Sequence, residues 1–224
     1  MESKPYTSIL KRVGIVLLAV GLIDTARLVY CLIHRTSYSS SLGLGVIAGI
    51  FLLRGSLRAA SITRFLTVFI LAGLLAALPV LFFFLPLDLL LTQLRLHPVA
   101  SLTTTAMAAL EGYLLFWVSR ELGREPVQTA IASAGVKQRD ARLAAAAGVG
   151  LAIVLGILLT VSGGGETSKR ALAMAEQRTG PGYRFYISSL RTTRTTDCKS
   201  VFAQIVAWNK NEIREIPVQW QERF

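Results

Sequence analysis

The sequence predicts a membrane all-α bundle of five transmembrane helices, followed by a small C-terminal α+β domain in which one helix packs on a three-stranded antiparallel meander. Three observations lead to this fold class. Five long apolar runs lie within residues 1–162. Hydrophobic residues make up 53% of the 224 residues, which is high for a soluble domain of this size. Residues 163–224 have a mixed composition, with segments in which apolar and polar side chains alternate.

The transmembrane domain, residues 1–162, contains the five predicted spans. A helix of roughly 20 apolar residues crosses the ~30 Å hydrocarbon core at a rise of 1.5 Å per residue. The second run is the shortest, and it reaches this length only if Tyr38 is included and Arg54 snorkels to the membrane surface. Pro79 and Pro86 predict a kink in the third helix and then its end. The predicted spans are 13–33, 38–57, 65–85, 99–118 and 143–162.

A short amphipathic segment, residues 87–97, lies between the third and fourth spans. Leucines recur along it at helical spacing, whereas Asp88 and Arg95 fall elsewhere on the helix. The pattern favours a helix that lies in the membrane interface on the outer side, as a structural collar; a substrate gate is the alternative interpretation. His34 and His97 fall near the same surface. Two histidines without a third ligand do not make a metal site, so no metal is predicted.

Basic residues indicate how the bundle is oriented. Eleven lysines and arginines fall on one side of the five-span arrangement, and only Arg35 and Arg95 fall on the other. Because cytoplasmic connections carry the excess of basic residues, we expect a cytoplasmic amino terminus and a C-terminal domain outside, in the periplasm of a bacterial inner-membrane protein. The eleven residues are Lys4, Lys11, Arg12, Arg54, Arg58, Arg64, Arg120, Arg124, Lys137, Arg139 and Arg142.

Small residues recur at four-residue spacing in two of the predicted spans. The second contains Gly45 and Gly49, and the fifth contains a longer stripe. Such stripes let two helix backbones approach closely in lipid, where helices associate by van der Waals contact. They predict either packing within one bundle or the interface of a homodimer. The stripe of the fifth helix consists of Ala144, Gly148, Ala152 and Gly156.

Three ionisable residues lie deepest in the predicted spans: Asp24, Arg27 and Glu111. A charge at mid-membrane costs ~2.5 to 3.5 kcal/mol on insertion scales, so such groups normally face the bundle and find partners. Side chains lean toward the amino terminus of their helix, so Arg27 and Glu111 converge if the first and fourth helices are antiparallel neighbours. We expect one buried network in which Arg27 serves both carboxylates. It either fixes the helix register or forms part of a proton or ion path.

The domain at 163–224 begins with a glycine triplet that serves as a flexible leash. A helix is predicted from Glu166 to Arg178, ended by the Gly-Pro-Gly that follows. Alternating patterns predict strands at 183–188, 201–208 and 213–220. Pro217 lacks an amide donor, so the third strand is expected at an edge of the sheet. A domain of this size has a core near the lower limit for independent folding, and docking on a partner would stabilise it.

Basic residues also cluster around the first hairpin of this domain, at Arg191, Arg194 and Lys199. They belong either to a solvated turn or to a surface that contacts anionic lipid headgroups or an acidic face of another protein.

The order of one helix and three strands resembles the small domains of membrane-tethered cytochrome oxidase assembly factors of the Coa type, although the glycine-rich final hairpin expected there is missing. That resemblance covers the last quarter of the chain and implies an assembly role. The whole chain is similar to uncharacterised multi-pass bacterial inner-membrane proteins in two segments, SLGLGVIAGIFLLRGSLRAA at 41–60 and NEIREIPVQW at 211–220. This second resemblance implies a location and no activity.

Composition and motifs reduce the number of function classes that the sequence supports. The net charge of +11 could suggest nucleic acid, but membrane topology accounts for the basic segments, so no nucleic-acid partner is predicted. No nucleophile with a base, paired carboxylates or metal-ligand set is visible, so we predict no enzyme and no cofactor. The predicted function is that of a non-catalytic accessory or assembly protein that contacts membrane lipids and whose C-terminal domain binds another envelope protein. The alternative is a small transporter or channel that uses Asp24, Arg27 and Glu111.

Overall fold

The computed structural model describes residues 5–34, 44–163, 165–180, 182–194 and 198–223. This part of the chain is mostly helical and ends in a three-stranded sheet. In chain order the elements are α1 (Pro5–Ile33), α2 (Leu44–Leu53), α3 (Leu57–Phe84), α4 (Leu87–Leu96), α5 (Pro98–Leu122), α6 (Glu125–Ser133), α7 (Ala141–Gly163), α8 (Glu166–Thr179), β1 (Arg184–Arg194), β2 (Cys198–Trp208) and β3 (Ile213–Arg223).

Four of the described helices, α1, α3, α5 and α7, are long and apolar enough to cross a membrane. They indicate a membrane protein. The second predicted span, 38–57, differs: α2 has 10 residues and a length of roughly 15 Å, about half the hydrocarbon thickness. Residues 38–43 of that predicted span lie outside the described residues. The long spanning helices in the described part of the chain are therefore four, where five were predicted.

The predicted helix boundaries need correction where helices continue past their apolar parts. α1 begins at Pro5 and not at 13, and α3 begins at Leu57 and not at 65. A turn at Gly55, whose φ is +75°, separates α2 from α3, and Ser56 Oγ accepts the amide proton of Ala59. Arg58 and Arg64 therefore lie on α3. An apolar run ends at such charges. The helix itself continues into the headgroup region, because long basic side chains can reach the polar surface.

Helix α6 was not predicted. Its buried residues are Val127 and Ile131, which are one turn apart. Two apolar residues are too short a pattern to predict a helix from the sequence. Gln128 Nε2 donates a 2.6 Å hydrogen bond to the carbonyl oxygen of Leu122, and this bond ties α6 to the end of α5.

Helices α1 and α2 pack antiparallel through glycines. A Cβ atom added at Gly21 would lie 2.7 Å from Val46, and one added at Gly49 would lie 2.9 Å from the carbonyl oxygen of Gly14. At the end of this pair, buried side chains from α1, α2, α3, α5 and α6 form one cluster, here called the basic-end core. It consists of Leu10, Val13, Leu17, Leu52, Ala60, Val118, Leu122, Val127 and Ile131.

Helix α7 buries the stripe of small residues. Ala144 and Ala152 are buried. A Cβ atom at Gly148 would lie 2.2 Å from the carbonyl oxygen of Phe69 on α3, and one at Gly156 would lie 3.1 Å from Val80. The stripe therefore serves packing between helices of the same chain.

The strands form an antiparallel sheet in the order β1-β2-β3, which confirms the predicted meander. Each strand has 11 residues and is longer than predicted. Pro217 lies on the edge strand β3, opposite Gln204 of β2. Buried side chains of α8 and of the sheet form a second core.

The described chain separates into two compact units. One comprises Met1–Leu75 and Leu110–Gly150, and the other comprises Ala76–Ala109 and Leu151–Phe224. Helix α4 thus belongs to the same unit as α8 and the sheet.

Gly148 provides a test of the packing of α3 against α7. We expect Gly148→Ala to destabilise the protein by about 1–3 kcal/mol, because its methyl group would overlap the backbone of α3. The measurement is thermal unfolding of the purified protein in detergent. Gly150→Ala is the matched control, since nothing lies within 4 Å of its added Cβ. Equal stability of the two variants would contradict this packing.

Candidate functional site

One face of the sheet is covered by α8. Along β2, alternate residues Val201, Ala203, Ile205 and Ala207 are fully buried. The facing residues of α8 include Ala171, and the small side chains on both elements let the helix approach the strands closely. Since this face forms the core, contacts with other molecules are left to the second face, the edges and the ends of the sheet.

The second face, here called the open face, has one large exposed hydrophobic side chain among the residues that the structure describes. Phe202 is 41% exposed and lies between Arg191 of β1 and Gln219 of β3 in the strand register. Next to it, Gln204 donates a 2.7 Å hydrogen bond to Glu215. An apolar centre within a polar surround is typical of a small protein interface.

The two edges of the sheet differ in sequence and in hydrogen bonding. On β3, Pro217 has no amide proton, and its carbonyl oxygen accepts a 3.0 Å hydrogen bond from Arg178 Nη1. On β1, a bulge at Ser188 interrupts the register, and Ser188 Oγ donates to the carbonyl oxygen of Gln204. Strand β1 carries arginines at 184, 191 and 194, and charged residues of this kind discourage pairing with other edge strands. Strand β1 is therefore the edge without a proline, and it is basic.

A cleft of about 590 Å³ lies between α4 and the end of the sheet where β2 turns into β3. Asp88 of α4 forms an ion pair with Arg184 of β1 across it. Trp208 lines the cleft and is only 4% exposed, and its Nε1 has no hydrogen-bond partner among the described residues. The remaining lining residues are Leu91, Thr92, Gly182, Asn209, Lys210 and Asn211.

Near this cleft, polar side chains hold the β2–β3 hairpin in place. The Tyr183 hydroxyl donates to Glu212, and Glu212 also accepts a 2.9 Å bond from Arg214. Asn209 Oδ1 accepts the amide protons of Asn211 and Glu212. The hydrogen bond from Tyr183 lowers the pKa of Glu212, and the same bond raises the pKa of Tyr183.

The three residues of the predicted intramembrane cluster lie on α1 and α5. Asp24 is 7% exposed and lies on the face of α1 that packs on α2. Arg27 is exposed, and Glu111 on α5 is partly buried. Among the described residues, no ion pair links Arg27 to Glu111.

The other predicted site residues divide into buried and exposed groups. Gly49 is buried against α1. A Cβ atom added at Gly45 would lie 3.3 Å from the carbonyl oxygen of Leu17. Arg191 is exposed on β1. The side chains of Arg194 and Lys199 lie outside the described part of the structure.

Two features of the structure, the buried Glu121 and the cleft beside Trp208, were not predicted from the sequence. Glu121 at the end of α5 is 5% exposed and pairs with Arg124 at 2.7 Å. An acidic residue three positions before an arginine was the available signal. The cleft beside Trp208 gave no signal, because its two walls are distant in sequence. Among the described residues no group of three or more His, Cys, Asp or Glu side chains could hold a metal ion.

Comparison of the chain with protein-family models, with curated proteins and with solved structures found no match.

The Tyr183–Glu212 hydrogen bond predicts a pH dependence of the domain's stability. A lowered pKa of Glu212 stabilises the fold above pH 4.5, and this contribution is lost as the pH falls through the folded-state pKa. A raised pKa of Tyr183 stabilises the fold below pH 10.0, and this contribution is lost as the pH rises. Thermal unfolding followed by tryptophan fluorescence from pH 3 to 11 measures both.

We expect Tyr183→Phe to unfold at a lower temperature near neutral pH and to show a weaker pH dependence at both ends. Tyr186→Phe, on the open face, is the control and should keep the parent profile. An unchanged pH profile in Tyr183→Phe would show that this hydrogen bond does not couple the two groups.

Proposed function

We propose that this protein is a non-catalytic accessory or assembly protein of the bacterial inner membrane and that its C-terminal domain binds another envelope protein. The observation that carries the proposal is the exposed, basic edge of β1 beside the open face with Phe202 at its centre. An edge strand binds an extended segment through main-chain hydrogen bonds, and neighbouring side chains supply the specificity.

Charge defines the kind of partner. Arg191 is exposed in the middle of β1, and Arg184 and Arg194 lie at the two ends of the strand. An acidic side chain on an added strand would face Arg191, since Arg184 already pairs with Asp88, whereas a second copy of β1 would place like charges opposite each other. The proposed ligand is thus an extended acidic segment of another protein.

Five membrane crossings and an outward C-terminal domain are the topology that we propose. The basic-end core supports it, because Leu52 at the end of α2 packs with Leu10 of α1. Short as it is, α2 returns the chain to the end where α1 starts. Arg58, Arg120 and Lys137 follow or precede elements of this same core. Under the positive-inside rule that end is cytoplasmic, and α7 then leads the chain outward.

Reporter fusions test this topology. A reporter that is active only in the periplasm should be active after Phe224 and inactive after Lys137. A cytoplasmic reporter at the same two positions is the control and should give the reverse. If the fusion after Phe224 is active only with the cytoplasmic reporter, the chain crosses the membrane four times and α2 does not complete a crossing.

Site-specific photocrosslinking tests the partner. A photoreactive residue at Thr192, exposed on β1, should give one stoichiometric crosslink in the intact membrane, and mass spectrometry should place it in an extended acidic segment. Arg191→Glu should lower the yield roughly tenfold, because it puts like charges opposite each other. Arg170→Glu on α8 is the matched control. Equal yields from Thr192 and from Ala173 on α8 would contradict the role of the β1 edge.

A further inference from the structure

A second cleft lies at the end of the bundle that carries the basic-end core, between the start of α3 and the turn that joins α6 to α7. Its volume is about 350 Å³. Helix α3 contributes Arg58, Ser61 and Ile62, and the turn contributes residues 134–137 and Arg139. All of these residues belong to one compact unit. We call this feature the basic cleft.

We propose that the basic cleft binds a phosphate ester, namely the headgroup phosphate of an anionic membrane lipid. Three of its lining side chains, Arg58, Lys137 and Arg139, are cationic, and no lining residue is acidic. Guanidinium and ammonium groups are the donors that phosphate oxygens prefer. The nearest carboxylate in sequence, Asp140, is engaged elsewhere, since its Oδ1 accepts the amide proton of Arg142 at 2.8 Å.

The walls of the basic cleft are held in place by local contacts. Ser61 Oγ donates a 3.2 Å hydrogen bond to the carbonyl oxygen of Lys137, which ties the turn to α3. The guanidinium carbon of Arg139 lies 5.5 Å from the centre of the Phe65 ring, a cation–π contact that keeps this side chain beside α3. The Arg139 cation and the backbone of the turn at Lys137 are thus positioned before a ligand arrives, which lowers the entropy cost of binding.

Three carbonyl groups of the last turn of α6 are paired, so they do not face an anion as free acceptors. The amides of Ala134, Gly135 and Val136 donate to the carbonyl oxygens of the last turn of α6, at 3.1 to 3.2 Å. Gly135 makes this possible with a φ of +64°, a conformation that favours glycine. These three acceptors are already paired, and the charged side chains that line the cleft are the three cations.

An apolar path leads away from the cleft and favours a lipid over a free phosphate ion. Ile62 lines the cleft and is 41% exposed, and Leu66, one turn further along α3, is 37% exposed. Both lie on a helix long and apolar enough to cross a membrane, so an acyl chain attached to the bound phosphate can lie along it. Basic pockets of this kind between membrane helices bind lipid headgroups. The inference is independent of the proposed function of the C-terminal domain.

Native mass spectrometry of the full-length protein in a neutral detergent, titrated with phosphatidylglycerol or phosphatidylcholine, tests the proposal. The parent should bind phosphatidylglycerol more tightly. Each of Arg58→Gln, Lys137→Gln and Arg139→Gln should weaken that binding about fivefold, and the triple variant roughly 100-fold. The control removes the same number of exposed charges at the same end of the bundle: Lys11→Gln, Arg12→Gln and Arg120→Gln. It should bind as the parent does.

Two further experiments distinguish loss of binding from loss of folding, and a lipid headgroup from a free phosphate ester. Arg139→Lys keeps the charge and should retain most of the binding, which distinguishes loss of charge from loss of structure. Competition by glycerol 3-phosphate at millimolar concentration would assign the site to phosphate alone, whereas failure to compete would show that the acyl chains contribute. The proposal is overturned if the parent has no preference for phosphatidylglycerol, or if the control triple variant loses binding as much as the cleft variant.

Discussion

The close approach of helix backbones at glycines is the contact on which the arrangement of the helices depends. In lipid, apolar side chains gain little by leaving their surroundings, so association relies on packing. Gly49 lies against the backbone of Gly14, and Gly148 lies against the backbone of Phe69. Each contact joins one helix pair, α1 with α2 and α3 with α7. A side chain at either position would separate the two backbones.

This contact also explains how a helix as short as α2 contributes to the bundle. Its 10 residues do not match the hydrocarbon thickness. Packed antiparallel on α1, however, α2 delivers Leu52 to the same core as Leu10 and Val127. The segments that follow or precede this core carry most of the basic residues in positions 1–162, so the buried core and the basic residues lie at the same end of the bundle. The basic cleft lies at that end because Arg58, Lys137 and Arg139 flank elements of the same core.

The C-terminal domain depends on a different balance, since its core is small. Alanines at 171, 175, 203 and 207 are all fully buried and let α8 sit close to the sheet. That arrangement covers one face and leaves Phe202 and the edge of β1 exposed. The small core and the basic edge strand are the basis of our proposal that the domain binds a partner. The polar side chains near the β2–β3 hairpin hydrogen-bond to one another and to the backbone of the turn, so their role is to stabilise the hairpin.

The sequence by itself determined the apolar helices, the helix followed by three antiparallel strands, and the edge position of Pro217, because each depends on local periodicity or on a single residue's backbone chemistry. It also marked the stripe from Ala144 to Gly156. Only the tertiary structure decided which helix that stripe faces and that α2 is 10 residues long in the described chain. It also showed that, among the described residues, no ion pair links Arg27 to Glu111. The two clefts are also visible only in the tertiary structure, because their walls come from segments far apart in the chain. Local sequence patterns do not encode which segments become neighbours.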